Sequence, residues 1–202
     1  MHLHEHEKWD ATSINDQQFS EHDWRRLLAH LGENPNRQGL LETPKRVEKA
    51  WQHWTSGYAQ NPAELLKVFE DGAEQYDELI VVRSIPVYSH CEHHLAPFFG
   101  TATIGYKPDG KIVGLSKLTR LVEMFAKRLQ VQERLTMQIA DALMTHLAPR
   151  SVGVIIRCRH MCMESRGIQV TGEETLTSAL FGDMRTDPAQ RAEFLSMARD
   201  RI

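Results

Sequence analysis

The chain has only three cysteines, no apolar run approaching the roughly eighteen residues of a membrane-crossing helix, and almost no excess of one charge. Each shortage excludes something. A small, odd number of cysteines, behind a start (Met1 to Asp10) that is polar rather than charged-then-apolar, argues against the disulfide framework of a secreted domain. Reduced thiols in the cytoplasm are the expectation. Lys and Arg number 24 against 27 Asp and Glu, a formal charge of -3, so neither nucleic acid nor a membrane surface is an expected partner. An anionic substrate would have to meet a local cluster of cations. Internal repeats and low-complexity tracts are also missing.

With 202 residues, 41% of them hydrophobic, the chain is long enough for one globular core and an appendage. Residues 1–15 carry His2, His4 and His6 among polar neighbours and read as a solvated, flexible arm. Residues 16–78 form an N-terminal helical region. Phe19, Trp24, Leu27, Leu28 and Leu31 approximate one helical stripe, and Thr43 with Pro44 opens a second helix through Val47, Ala50, Trp51 and Trp54 to about Gly57. This region is too poor in apolar residues for its own core, so it should pack on the remainder or on another subunit.

The period changes near Leu79, where residues 79–202 begin. Ile80, Val82, Ile85 and Val87 lie in a β-rich run. Phe98 to Tyr106, Pro108-Asp109-Gly110 and Ile112-Val113 read as strand, tight turn and returning strand. Two helices follow, the first capped by Ser116 and carrying Leu118, Leu121, Val122 and Phe125, the second carrying Leu135, Ile139, Leu143 and Leu147. Val152, Val154 and Ile156 alternate into Cys158, a further extended stretch covers Gly167 to Thr171, and a last helix spans Pro188 to Met197 with Asp187 as cap. The class is α+β: two strands, two helices, two strands.

Chemistry concentrates in Cys91-Glu92-His93-His94 and Cys158-Arg159-His160-Met161-Cys162. Cys91 and His94, three apart, with Cys162 returning from a distant strand, supply three metal ligands and leave a fourth tetrahedral position to water. If Arg157 to Met163 is extended, Cys158, His160 and Cys162 share a face. Cys162 is then the ligand and Cys158 a small buried residue deeper in the strand, although spacing alone leaves that choice open. A closed Cys and His site without chemistry is the competing reading. His93 and His160 remain beside the metal with a pKa range suited to proton transfer. Ser116, Lys117 and Arg120 open a helix as a candidate phosphate site, Arg46 and Lys49 repeat the three-residue spacing, and Arg166 follows the second metal segment. Only convergence in space makes these an anion pocket. Glu133, beside Gln132, reads either as support for a helix dipole or as a buried carboxylate facing two N–H donors of a purine.

Together with Gly114-Leu115-Ser116-Lys117-Leu118, the run from Arg128 to Thr136, and Arg166-Gly167, these segments resemble the signature motifs of the zinc-dependent GTP cyclohydrolase I family. The resemblance runs from about Glu42 to Phe194-Leu195. It implies a tunnelling fold, an antiparallel ββααββ unit with an N-terminal helical extension. Its members are homodecamers of two stacked pentamers with active sites between subunits and one Zn2+ per subunit. Matched position by position, Cys91, His94 and Cys162 correspond to the zinc ligands and His93 and His160 to the catalytic histidines. Glu133 with Gln132 corresponds to the guanine anchor, and Arg46, Lys49, Leu115, Ser116, Lys117, Arg120 and Arg166 to the remaining substrate contacts, chiefly on the triphosphate. The implied reaction on GTP is hydrolytic attack at C8, with N7 protonated by His93 or His160, then loss of formate and closure to 7,8-dihydroneopterin triphosphate. Met163-Glu164-Ser165 departs slightly from the family pattern, and strand alternation would turn Glu164 away from Arg166. A nitrile reductase of the same fold would instead need a nucleophilic cysteine and a nicotinamide cofactor, and metal content separates the two.

Overall fold

The computed structural model describes residues 20–70 and 76–199. The expected arm with His2, His4 and His6, and also Phe19, lie outside the described residues. The chain divides into two compact units, residues 1–51 and 52–202.

In the first unit, α1 (Glu21–His30) begins at Ser20, whose N–H and hydroxyl both donate to the Asp23 carboxylate at 2.9 Å. This ties down a helix end whose backbone donors have no partner within the helix. Helix α2 (Thr43–Trp54) has Pro44 in its first turn, where a missing N–H removes no helical hydrogen bond. Neither helix is well covered. No residue of α1 and only Pro44 of α2 is buried, while Leu27, Leu31 and Leu41 are exposed.

The second unit is organised by a five-stranded sheet. Its strands are β2 (Ile80–Cys91), β3 (Pro97–Lys107), β5 (Leu129–Gln130), β6 (Ser151–His160) and β7 (Thr175–Gly182), in the order β5-β2-β3-β6-β7. Neighbours are antiparallel, except that β5 runs parallel to the last two residues of β2. Helices α4 (Leu115–Ala126) and α5 (Gln132–His146) lie between β3 and β6 in sequence, so the unit is the ββααββ tunnelling fold. Two-residue strands β1 (Val68–Phe69) and β4 (Ile112–Val113) pair with each other, and α3 (Pro62–Leu65), α6 (Met161–Glu164), α7 (Asp183–Thr186) and α8 (Pro188–Ala198) complete the unit. The Asp187 carboxylate caps α8 by accepting from the Ala189 N–H at 2.8 Å. Among the described residues, no helix is long and apolar enough to cross a membrane.

The core follows from two periodicities. Alternate residues of β3 (Phe98, Ala102, Ile104, Tyr106) and of β6 (Val152, Val154, Ile156, Cys158) face the stripe of α4 (Leu118, Leu121, Val122, Phe125) and that of α5 (Leu135, Ile139, Leu143). Each such aliphatic or aromatic side chain contributes about 1.5–3 kcal/mol on burial. Strand β2 contains a bulge: its register on β3 shifts between Val82 and Ile85, and Ser84 sits at φ 57. The extra residue changes parity, so Ile80 and Val82 before it and Ile85, Val87 and Cys91 after it all join the same core. Without the bulge, Cys91 would point from the opposite face. That opposite face is covered near one end by Phe194 of α8, which fits because Gly105 and Gly153, paired across β3 and β6, leave room for its ring.

Four local expectations are corrected. Ile112-Val113 does not return along β3, because β3 is already hydrogen-bonded on both edges by β2 and β6; it pairs with Val68-Phe69 instead. Gly167 to Thr171 is not extended, since Gly167, Gln169 and Gly172 all take positive φ, and the last strand is Thr175–Gly182. Helix α4 is capped at Gly114 rather than Ser116. Extended structure stops at His160, so Met161–Glu164, including Cys162, is a helical turn.

Candidate metal centre and active site

The first metal segment is a tight turn leaving β2. Cys91 N–H donates to the Ala96 carbonyl at 2.8 Å, and the Cys91 carbonyl accepts from the N–H groups of His94 (3.3 Å) and Leu95 (2.8 Å). Leu95 sits at φ 54 to close the turn. The second segment leaves β6 through His160 into the turn that carries Cys162. One ligand atom each from Cys91, His94 and Cys162 lie within 4.8 Å of one another, and Cys91 Sγ is 3.9 Å from His94 Nδ1. Zinc–sulfur bonds of about 2.3 Å at tetrahedral angles put ligand atoms roughly 3.7 Å apart, so the three donors need only a small contraction to share one ion. His93 is not part of this group, although its Nδ1 is 3.8 Å from Cys91 Sγ. Among the described residues the set is therefore three donors and not the four of a closed site. Burial, followed by the adjacent Cys91 sulfur, holds the Cys162 thiol above its ordinary range.

Cys158 is different. It is 1% exposed inside the core and burial pushes its thiol to about 12, which makes it a structural residue.

His160 stacks on Phe98, ring centroids 4.8 Å apart and nearly parallel, and its Nε2 is 2.8 Å from Gln132 Oε1. The Gln132 amide nitrogen lies 3.1 Å from the Ile156 carbonyl, 2.9 Å from the Thr175 carbonyl and 3.1 Å from Thr177 Oγ1, which fixes the orientation of the group. Oxygen therefore faces His160, and the imidazole must donate from Nε2, leaving Nδ1 as the lone-pair nitrogen of the neutral ring. Burial lowers the pKa of His160, opposed by the Glu133 carboxylate, so the neutral ring is favoured near pH 7. His93 is exposed, its Nε2 3.9 Å from Glu92 Oε1.

Gln132 and Glu133 part company in the structure. Gln132 is 1% exposed with its amide held by protein groups, whereas Glu133 is exposed in the first turn of α5, not the buried carboxylate that one sequence reading allowed. Leu115, Ser116 and Arg120 are exposed and Lys117 half-buried at the start of α4. Arg166 lies beside the metal group, its Nη1 3.1 Å from His94 Nε2. Arg46 and Lys49 are exposed on α2, in the first unit. Glu164 is drawn to Arg159 (Nε to Oε1 2.8 Å), the outcome expected for it but reached by a helical turn and not by strand alternation.

Sequence reasoning missed one interaction. Glu92, between Cys91 and His94 of the donor group, takes a two-pronged contact from Arg134: Nη1 to Oε2 at 2.5 Å and Nη2 to Oε1 at 2.9 Å. Nothing in the letters pairs residues 42 apart, and an alternating charge pattern is absent here.

A family model described as GTP cyclohydrolase I matches residues 20–199. The GTP cyclohydrolase 1 of Janthinobacterium sp. (strain Marseille) is 79% identical over 183 residues, 91% of this chain and 92% of that protein. The GTP cyclohydrolase 1 of Nitrosospira multiformis is 71% identical over 184 residues, covering 91% and 96%. That of Mycolicibacterium vanbaalenii is 50% identical over 196 residues, 96% of each.

Proposed function

The chain belongs to the GTP cyclohydrolase I family, and from that premise we propose how its own side chains carry the family's reaction. It is a hydrolase of this type: it opens the imidazole ring of the guanine of GTP, releases formate and yields 7,8-dihydroneopterin triphosphate, the first step of tetrahydrofolate biosynthesis. The observation that carries the residue-level reading is the three-donor group Cys91, His94 and Cys162 with the half-buried His160 immediately before its third member.

Cys91, His94 and Cys162 would hold one zinc ion per subunit. Bound there, zinc would supply Lewis acidity and lower the pKa of water for the hydrolytic attack. His160, held neutral by burial and oriented by Gln132, exchanges a proton at Nδ1 with the purine ring. His93, exposed with its Nδ1 3.8 Å from Cys91 Sγ, is the second proton carrier. Glu133 accepts from the guanine edge, and Gln132 serves that recognition by holding His160. Ser116, Lys117 and Arg120 at the start of α4, together with Arg166, receive the triphosphate, whose charge suits a helix N-terminus and bidentate guanidinium groups, and Leu115 is a further substrate contact.

The assembly is a homodecamer of two stacked pentamers. Support comes from the sheet edges: among the described residues β7 has β6 as its only strand partner, and the outer edge of β2 is paired only at His90-Cys91. Unpaired edges of this length are templates for a neighbouring chain. Thiol ligands that must stay reduced support a cytoplasmic location.

The deciding experiment is turnover of GTP followed by formate release and by fluorescence of the oxidised pterin, with Cys91→Ala as control. Metal-loaded parent protein should release one formate per pterin and the variant none. A metal-loaded parent that leaves the imidazole ring closed overturns the reading.

A further inference from the structure

Two side chains in the first turn of α5 reach the two halves of the metal centre. Arg134 grips Glu92, which lies between Cys91 and His94, with both prongs of its guanidinium, at 2.5 and 2.9 Å. Gln132, two residues earlier, holds His160, which is two residues before Cys162, at 2.8 Å. The two segments belong to strands that are not neighbours, since β3 lies between β2 and β6. A rigid helical turn touching both is therefore a bracket across the gap. We infer that Arg134, acting through Glu92, and Gln132, acting through His160, are positioning residues that set the separation of the two metal-ligating segments.

Several features support this over an incidental surface ion pair. The Arg134 and Glu92 side chains are 33% and 29% exposed, more sheltered than an ordinary surface pair. Their planar fork-on-fork contact fixes orientation as well as distance, which a single point contact does not. The same turn is anchored a second time through its backbone, where the Glu92 N–H donates to the Gln130 carbonyl at 3.0 Å. Gln130 is itself tied to the Phe125 carbonyl at 2.9 Å and to Gln138 Oε1 at 2.9 Å, so the bracket rests on both helices. Gln132 is likewise rigid, with three acceptors around its nitrogen. Outer-shell groups that orient metal ligands usually change metal affinity by about 10–100-fold when lost, and Arg134 and Gln132 act on those ligands one residue further out, through Glu92 and His160.

This inference rests on the metal reading above, and the test separates the two. Cobalt(II) is titrated into the metal-free full-length parent, Glu92→Gln, Arg134→Met, the double variant and Gln132→Met, reading dissociation constant and the visible ligand-field bands; thermal unfolding of each metal-free chain is measured alongside. Glu92→Gln is nearly isosteric and keeps the experiment sound if a larger change misfolds. The expected result is a cobalt dissociation constant raised about 10–100-fold with altered band intensities in each single variant. The Glu92/Arg134 double variant should be no worse than the poorer single, and Arg134→Lys should recover only part of the loss. Variants that bind cobalt within twofold of the parent with unchanged bands overturn the inference, as do losses that merely parallel a fall in metal-free melting temperature. A parent chain that binds no cobalt sinks the metal reading itself, and the bracket with it.

Discussion

Replacing each of the two cysteines of the second segment tests how the fold divides their labour. Cys158 and Cys162 are four residues apart, yet one is sealed in the core and the other lies on a partly exposed helical turn. A metal ligand must be a thiolate. Burial pushes the Cys158 thiol to about 12, and its register opposite Gly100 keeps it out of the three-donor group. Cys162 is raised too, by burial first and then by the Cys91 sulfur, and a divalent cation shared by the two sulfurs would reverse that repulsion. Cys158→Ala should therefore keep one metal per chain and lose about 1 kcal/mol of stability, the order of a small buried group. Cys162→Ala should lose tight metal binding with little change in stability of the metal-free chain. Equilibrium dialysis against zinc gives the stoichiometry, and thiol counting on native metal-free protein should find Cys162 reactive, Cys91 slower and Cys158 inert until unfolding. The reasoning fails if Cys158→Ala abolishes metal binding, or if Cys162→Ala retains a full equivalent.

Three further outcomes follow from the same geometry. Phe194→Ala should cost about 3–5 kcal/mol in urea unfolding. Gly153→Ala, whose added carbon would meet the Phe194 ring at 2.5 Å, should cost about 1–3 kcal/mol, and the double variant should cost less than the sum because the ring is gone. Burial lowers the pKa of both His90 and His160, so as pH falls below about 6.5 the unfolded chain takes up protons first and stability declines, until the folded rings also protonate. Urea midpoints of metal-free protein should thus drop from pH 7.5 to 5.5, and a His90→Gln/His160→Gln variant with an equally steep drop would refute this assignment. Chelation should abolish formate release while far-ultraviolet circular dichroism stays native, since the core owes nothing to the ion; unfolding on chelation would make the site structural.

Much of this molecule is legible in its letters, for identifiable reasons. The alternation of Val152, Val154, Ile156 and Cys158 and the helical stripe of Leu135, Ile139 and Leu143 are periodic signals, and each lies where its period places it. Local readings fail where the decisive fact is non-local. Ile112-Val113 looks like a returning strand until β6 occupies the edge of β3 that it would need. The parity change at Ser84 leaves almost no trace in composition, yet it decides which face Cys91 presents. Gln132 and Glu133 are adjacent in sequence and read as a pair, but a helix turns successive residues by about 100°, which buries one and exposes the other.

The same non-local geometry explains why the second segment must abandon the strand before its ligand. Cys91 ends β2 and His160 ends β6 at one end of the sheet, with the start of β3 between them, where Phe98 pairs with His160. Two inter-strand spacings separate those strands by about 9.5 Å, far beyond what two ligands of one ion allow. Had residues 161–163 continued as strand, Cys162 would have run on parallel to Cys91 and stayed at that distance. The turn Cys91–Leu95 from one side and the helical turn Met161–Glu164 from the other lean over β3 and bring the donors within 4.8 Å. Cys158 cannot make that journey, because it is fixed in register opposite Gly100. The three-donor group is thus a property of how two strands end, and the first turn of α5 touches both endings.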